Sequence, residues 1–125
     1  MFGKRITVSV HGGDELGRHR IVRTLRSLPG IGVVRGDERA VVEVLLMGRH
    51  DGGAAGRLRS MAREGRAPLV VVAEELGETE LMAVSEYGVR AVLWSHRLTP
   101  GRLSRAVHNA AGCCPPLPIG AARGY

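Results

Sequence analysis

Hydrophobic and polar positions along the chain follow two rhythms. Short aliphatic runs at residues 6–10, 31–34, 40–47, 69–73 and 89–94 are bounded by glycine, proline or charged residues, which predicts five strands. The run AVVEVLLM (40–47) is the most apolar and is interrupted only by Glu43, so it predicts a central strand covered on both faces. Between the runs the apolar spacing turns helical. Asp14 stands at an N-cap position ahead of Leu16, Ile21, Val22, Leu25 and Leu28, and Pro29-Gly30 closes that segment. A second helix is expected over 56–65 on Leu58, Met61 and Ala62, and a third over 78–87 on Leu81, Met82 and Val84, ended by Gly88. The last begins with Pro100, capped by Thr99 or Ser95, and buries Leu103, Ala106, Val107 and Ala110.

Strands alternating with helices imply parallel pairing through right-handed crossovers, and hence an α/β doubly wound sheet with helices on both faces. At 125 residues one domain is expected, over 1–112. The segment CCPPLPIGAARGY (113–125) loses all period and reads as a Pro/Gly-rich tail or the start of a linker. Cys113 and Cys114 have no other cysteine to pair with and no metal spacing.

Composition narrows the function. Aromatics are only 3% of the chain, so a base-stacking surface for single-stranded nucleic acid is not expected. The net charge of +6 comes almost wholly from arginine, since Lys4 is the only lysine, and the arginines are dispersed from Arg5 to Arg123 as on solvated helix faces. No run reaches the roughly 18 apolar residues of a membrane span, and no signal-like segment opens the chain. A cytoplasmic protein without membrane contact is expected.

Two nucleotide signatures are approached and missed in VHGGDELGRHR (10–20). Gly12-Gly13-Asp14-Glu15-Leu16 differs by one residue from the GGDEF signature of cyclic-dinucleotide synthases, but it joins a strand to a helix instead of closing a hairpin. Gly12 to Gly17 has P-loop glycine spacing, yet Arg18 and His19 follow where lysine and a hydroxyl are needed, and Asp14 and Glu15 put negative charge where phosphate would sit. His11 lies at the carboxyl end of the first strand, the edge where doubly wound folds place ligands. No nucleophile elbow accompanies it, the five histidines are scattered, and Asp51, Glu74 and Glu75 read as loop charges, so neither an enzyme nor a metal site nor any cofactor is expected.

Five alternating units with a weak second strand are similar to the receiver domain of bacterial response regulators. More narrowly, the chain resembles the atypical receivers that open actinobacterial regulators of the NarL/LuxR type. The resemblance spans residues 4–112. It rests on ITVSVHGGDELGRHRIVRTLRSLPGIGVV, AVVEVLLM, LVVVAEELGETELMAVSEYGVRAVLWS and TPGRLSRAVHNAAG. It implies the flavodoxin-like (CheY-like) strand order 2-1-3-4-5. A working receiver holds magnesium on an acidic pair after the first strand, takes the phosphoryl group on an aspartate ending the third, and adds a hydroxyl after the fourth and a lysine after the fifth. By this resemblance the acidic pair falls on His11-Gly12, the acceptor on Leu46 beside Met47, and the hydroxyl and amine on Ala73 and Ser95. Asp14 and Asp51 are out of register. Without carboxylates or lysine nothing neutralises a phosphoryl group, which implies an apolar pocket framed by His11, Leu46, Ala73 and Ser95.

Two function classes remain. The first is a phosphorylation-independent regulatory and dimerisation module that governs DNA binding only through a C-terminal helix-turn-helix domain absent from this chain. Glu74, Glu75, Glu78, Glu80 and Glu86 are acidic where Arg90, Arg97, Arg102, Arg105 and His108 are basic, and such segregation suits an isologous homodimer. Glu78, Glu86, Arg90, Arg97, Arg102 and Arg105 are the candidate interface. The alternative is a sensor whose vacated pocket takes a small-molecule ligand, or a stand-alone protein-interaction module.

Overall fold

The computed structural model describes residues 5–49, 53–65 and 67–112. Asp51 and the expected tail 113–125, with Cys113 and Cys114, lie outside the described residues. Strands β1 (Ile6–Gly12), β2 (Ile31–Val33), β3 (Val42–Met47), β4 (Leu69–Ala73) and β5 (Ala91–Trp94) form one sheet in the order β2-β1-β3-β4-β5. Every pairing is parallel, as the buried aliphatic runs require. Helices α1 (Glu15–Arg26), α2 (Ala54–Glu64), α3 (Glu78–Glu86) and α4 (Pro100–Gly112) complete the architecture.

Strand alternation divides the core. Val8, Val44, Val70 and Val72 point to the face covered by Ile21 and Leu25 of α1 and by Leu103 and Val107 of α4. Leu45, Met47, Val71 and Ala73 point to the other, covered by Leu58 and Met61 of α2 and Ala83 of α3. All six residues of β3 are buried, Glu43 included, which makes it the central strand expected from its sequence. Residues 34–41 between β2 and β3 contain no helix. They stay against β1, where the Val34 N–H donates to the Val8 carbonyl (2.9 Å) and the Val41 N–H to the Thr7 carbonyl (2.9 Å).

Local chemistry explains the element ends. The Asp14 carboxylate accepts from the Gly17 N–H (2.7 Å) and caps α1. Thr99, not Ser95, caps α4, accepting from the Arg102 N–H (3.1 Å), while Ser95 opens a short 3-10 turn, Ser95–Arg97. Boundaries otherwise move by a residue or two. β1 runs on to Gly12, β3 begins at Val42, β5 begins at Ala91, and α2 begins at Ala54, whose methyl is buried.

Three apolar residues expected on the buried sides of helices do not pack, and Val41, ahead of β3, is exposed as well. Leu16 is 63% exposed because it lies five residues before Ile21, about 140° round the helix from the buried stripe. Leu81 and Met82 are exposed because α3 meets the sheet through Ala83 and the partly buried Val84. Truncating Leu25 to alanine, where the side chain is wholly buried, is expected to cost about 2–5 kcal/mol in urea denaturation. Met82→Ala is expected to change stability by less than about 0.5 kcal/mol. Similar losses for the two would refute this packing.

Candidate functional site at the carboxyl edge of the sheet

The edge is built from the β1–α1 turn downward. Gly12 and Gly13 have φ of +78° and +69°, in the left-handed region that favours glycine. A Cβ on Gly12 would lie 2.6 Å from the Leu46 carbonyl oxygen and 3.2 Å from Nη1 of Arg57, and one on Gly13 would lie 2.8 Å from the Leu46 Cβ. The turn therefore rests directly on the end of β3, and no side chain fits between them. Arg18 holds it from the other side, its Nη1 donating to the carbonyl of Gly12 (3.1 Å) and more weakly to that of Gly13 (3.4 Å). Asp14 follows as an exposed helix cap.

Beside this turn a cavity of about 570 Å³ opens between α1 and the ends of β3, β4 and β5. Of the residues expected at a pocket here, Leu46, Met47 and Ser95 line the cavity, and His11, Gly12 and Ala73 do not. For His11 the reason is strand alternation: it pairs in register with Leu45, so its side chain projects to the α2/α3 face, opposite Leu46. Ala73 and Met47, neighbours in register, share that face, and of the two Met47 lines the cavity. Nor is the cavity simply apolar: Arg20, Arg49, Arg57, Asp14 and Glu74 contribute to its wall. One signal for this was legible in the sequence. Gly17, Arg20, Ile21 and Thr24 have i, i+3, i+4, i+7 spacing and form the α1 side of the cavity.

His11 belongs to a different cluster. Ser9 and Glu43 are the polar residues among the buried ones described, and they sit side by side in register on β1 and β3. His11 Nε2 lies 2.9 Å from Ser9 Oγ and 3.8 Å from Glu43 Oε2. A Ser-His-acid relay needs the nucleophile on one ring nitrogen and the acid on the other. Here both partners meet the same nitrogen, so the cluster cannot act as a relay. Its role is to give a buried carboxylate a polar neighbour.

A third region lies along α3, β5 and α4. Glu78, Glu86, Arg90, Arg97, Arg102 and Arg105 are all exposed, and none forms an ion pair among the described residues. Arg102 reaches only the carbonyl of Arg97 (3.3 Å). Exposed Leu81, Met82 and Trp94 belong to the same elements.

No family model matches the chain, and neither does any curated protein. Solved structures do. The signal receiver domain of the response regulator NarL from Mycobacterium tuberculosis superposes with a TM-score of 0.72 at 16% identity, over 90% of this chain and 100% of that one. A CheY-like response regulator from Mesorhizobium loti gives 0.66 at 21% identity, over 84% and 98%. RcsB from Salmonella enterica serovar Typhimurium, solved bound to the rprA promoter, gives 0.65 at 15% identity, over 82% and 66%. These identities speak for the fold alone: the chain has the CheY-like, flavodoxin-type fold, and its structural neighbours are receiver domains of response regulators.

Proposed function

We propose that this chain is a receiver-like regulatory and dimerisation domain of a transcriptional regulator that works without phosphoryl transfer. The observation that carries the reading is the seating of Gly12 on the Leu46 carbonyl. A receiver places a magnesium-binding carboxylate and the phosphoryl acceptor where the first and third strands end. In this chain, by the resemblance, those places fall on His11-Gly12 and on Leu46 with Met47 beside it, and Ala73 and Ser95 stand for the hydroxyl and the amine. A left-handed glycine pressed on a backbone oxygen leaves no room for a carboxylate at that position, and the carboxylates that line the neighbouring cavity, of Asp14 and Glu74, each have an oxygen engaged by a backbone N–H. With leucine in the acceptor's place, phosphoryl transfer has no carboxylate nucleophile there.

Output would pass through association. Acids at Glu78 and Glu86 and arginines at Arg90, Arg97, Arg102 and Arg105, without an ion pair among the described residues, suit an isologous homodimer in which acidic and basic faces meet across a twofold axis. RcsB, with the same fold, is a promoter-bound protein, and by analogy this domain would govern DNA binding through an attached helix-turn-helix domain. Among the described residues no helix is long and apolar enough to cross a membrane, and the reading places the protein in the cytoplasm.

Incubation with acetyl phosphate and magnesium is expected to leave the intact mass unchanged, and a stable adduct on any aspartate would overturn the proposal. Gly12→Asp, which restores an acid, is expected to lose about 1–3 kcal/mol in urea denaturation through backbone strain and to gain no magnesium affinity by calorimetry. A stable, magnesium-binding variant would refute the steric argument. Reversing Arg102 and Arg105 to glutamate is expected to raise the monomer fraction in sedimentation velocity, whereas an unchanged fraction would refute this face as the interface.

A further inference from the structure

We infer that the cavity at the carboxyl edge binds a small hydroxylated oxyanion, an organic phosphate or carboxylate, as the effector of the domain. The inference rests on the reading of the chain as a regulatory module that phosphoryl transfer does not switch.

Size is the first argument. About 570 Å³ falls within the roughly 300–1,000 Å³ of small-ligand sites, and the position, beyond the carboxyl ends of parallel strands, is where doubly wound folds hold ligands. The second is the charge of the wall. Three guanidinium groups, of Arg20, Arg49 and Arg57, face two carboxylates, of Asp14 and Glu74. Each carboxylate already has an oxygen engaged by a backbone N–H: Asp14 by that of Gly17 (2.7 Å) and Glu74 by that of Arg49 (2.7 Å). Arg49 also pairs outward with Glu75, Nε to Oε1 at 3.0 Å.

Arg20 is different. Its guanidinium makes no hydrogen bond or ion pair among the described residues, although its backbone carbonyl accepts from the Thr24 hydroxyl (3.0 Å), and the hydroxyl of Ser95 across the cavity makes none either. Arg23 and Arg26 of the same helix do not line the cavity, so Arg20 is set apart by its place on the Ile21 side of α1. A planar guanidinium with its donors uncommitted fits a phosphate or carboxylate in two-point contact. The remaining oxygens of Asp14 and Glu74 accept from hydroxyl groups and disfavour a second anionic group nearby. Leu46 and Val72, neighbours in register on β3 and β4, give the carbon skeleton an apolar floor.

The test is an NMR titration of the full chain with glycerol 3-phosphate, glycerate and inorganic phosphate, and with neutral glycerol as control. Saturable amide shifts at Gly17, Leu46, Arg49 and Ser95 with glycerol 3-phosphate or glycerate, absent with glycerol, are expected, and the stronger of the two assigns the oxyanion to phosphate or carboxylate. Arg20→Gln is expected to weaken binding at least tenfold and Ser95→Ala severalfold, while Arg26→Gln stays within twofold; all three positions are exposed, so a dispersed spectrum confirms each variant as folded. Absence of saturation with every anion, or equal losses for Arg20→Gln and Arg26→Gln, would overturn the assignment. If the acetyl phosphate experiment still shows no adduct in that case, the regulatory reading survives the loss of the ligand; an adduct removes both.

Discussion

The seating of the β1–α1 turn on the end of β3 constrains everything at the carboxyl edge of this sheet. Two consecutive left-handed glycines let the backbone pass within a side chain's breadth of Leu46, and Arg18 ties the turn's carbonyls down from above. Because the turn is closed, Asp14 falls at the start of α1 and serves as its cap. Asp14 is committed to the Gly17 N–H, and the cavity lies on the Arg20 side of α1. An acidic chemistry is thus absent from the turn itself for a geometric reason as well as a compositional one.

Electrostatics at this edge run opposite to those expected of a magnesium site. Cations stand around the turn at Arg18, Arg20, Arg49 and Arg57, and the nearby carboxylates are spent on backbone N–H groups or on Arg49. The buried His11–Glu43 pair on the other face is a separate matter. It lies where β1 and β3 run side by side, beside Gly36 of the helix-free connection between β2 and β3, with Ser9 and Glu43 both meeting the His11 Nε2.

Much of the fold was legible because it depends on local pattern. The run from Val42 to Met47 could be placed at the centre of the sheet since both its faces are apolar, and the caps at Asp14 and Thr99 are short-range hydrogen bonds between neighbours in the chain. The failures were of another kind. Leu16, Leu81 and Met82 are apolar and helical, but which side of a helix is covered depends on how the helix is docked. His11 stands at a strand end yet lies outside the cavity that Leu46 lines, because alternate residues on a strand face opposite layers.

By itself the sequence determined the five strands, the order in which helices follow them, and the residues at the strand ends, since hydrophobic period, caps and glycine turns act over a few residues. The tertiary structure decided which of those end residues meet. It turned His11 toward Glu43 and away from Leu46, and it brought Arg20, Arg49 and Arg57 from three separate segments to one cavity. The physical reason is that strand register and helix docking are set by the summed burial of whole faces, a quantity that no short stretch of residues carries.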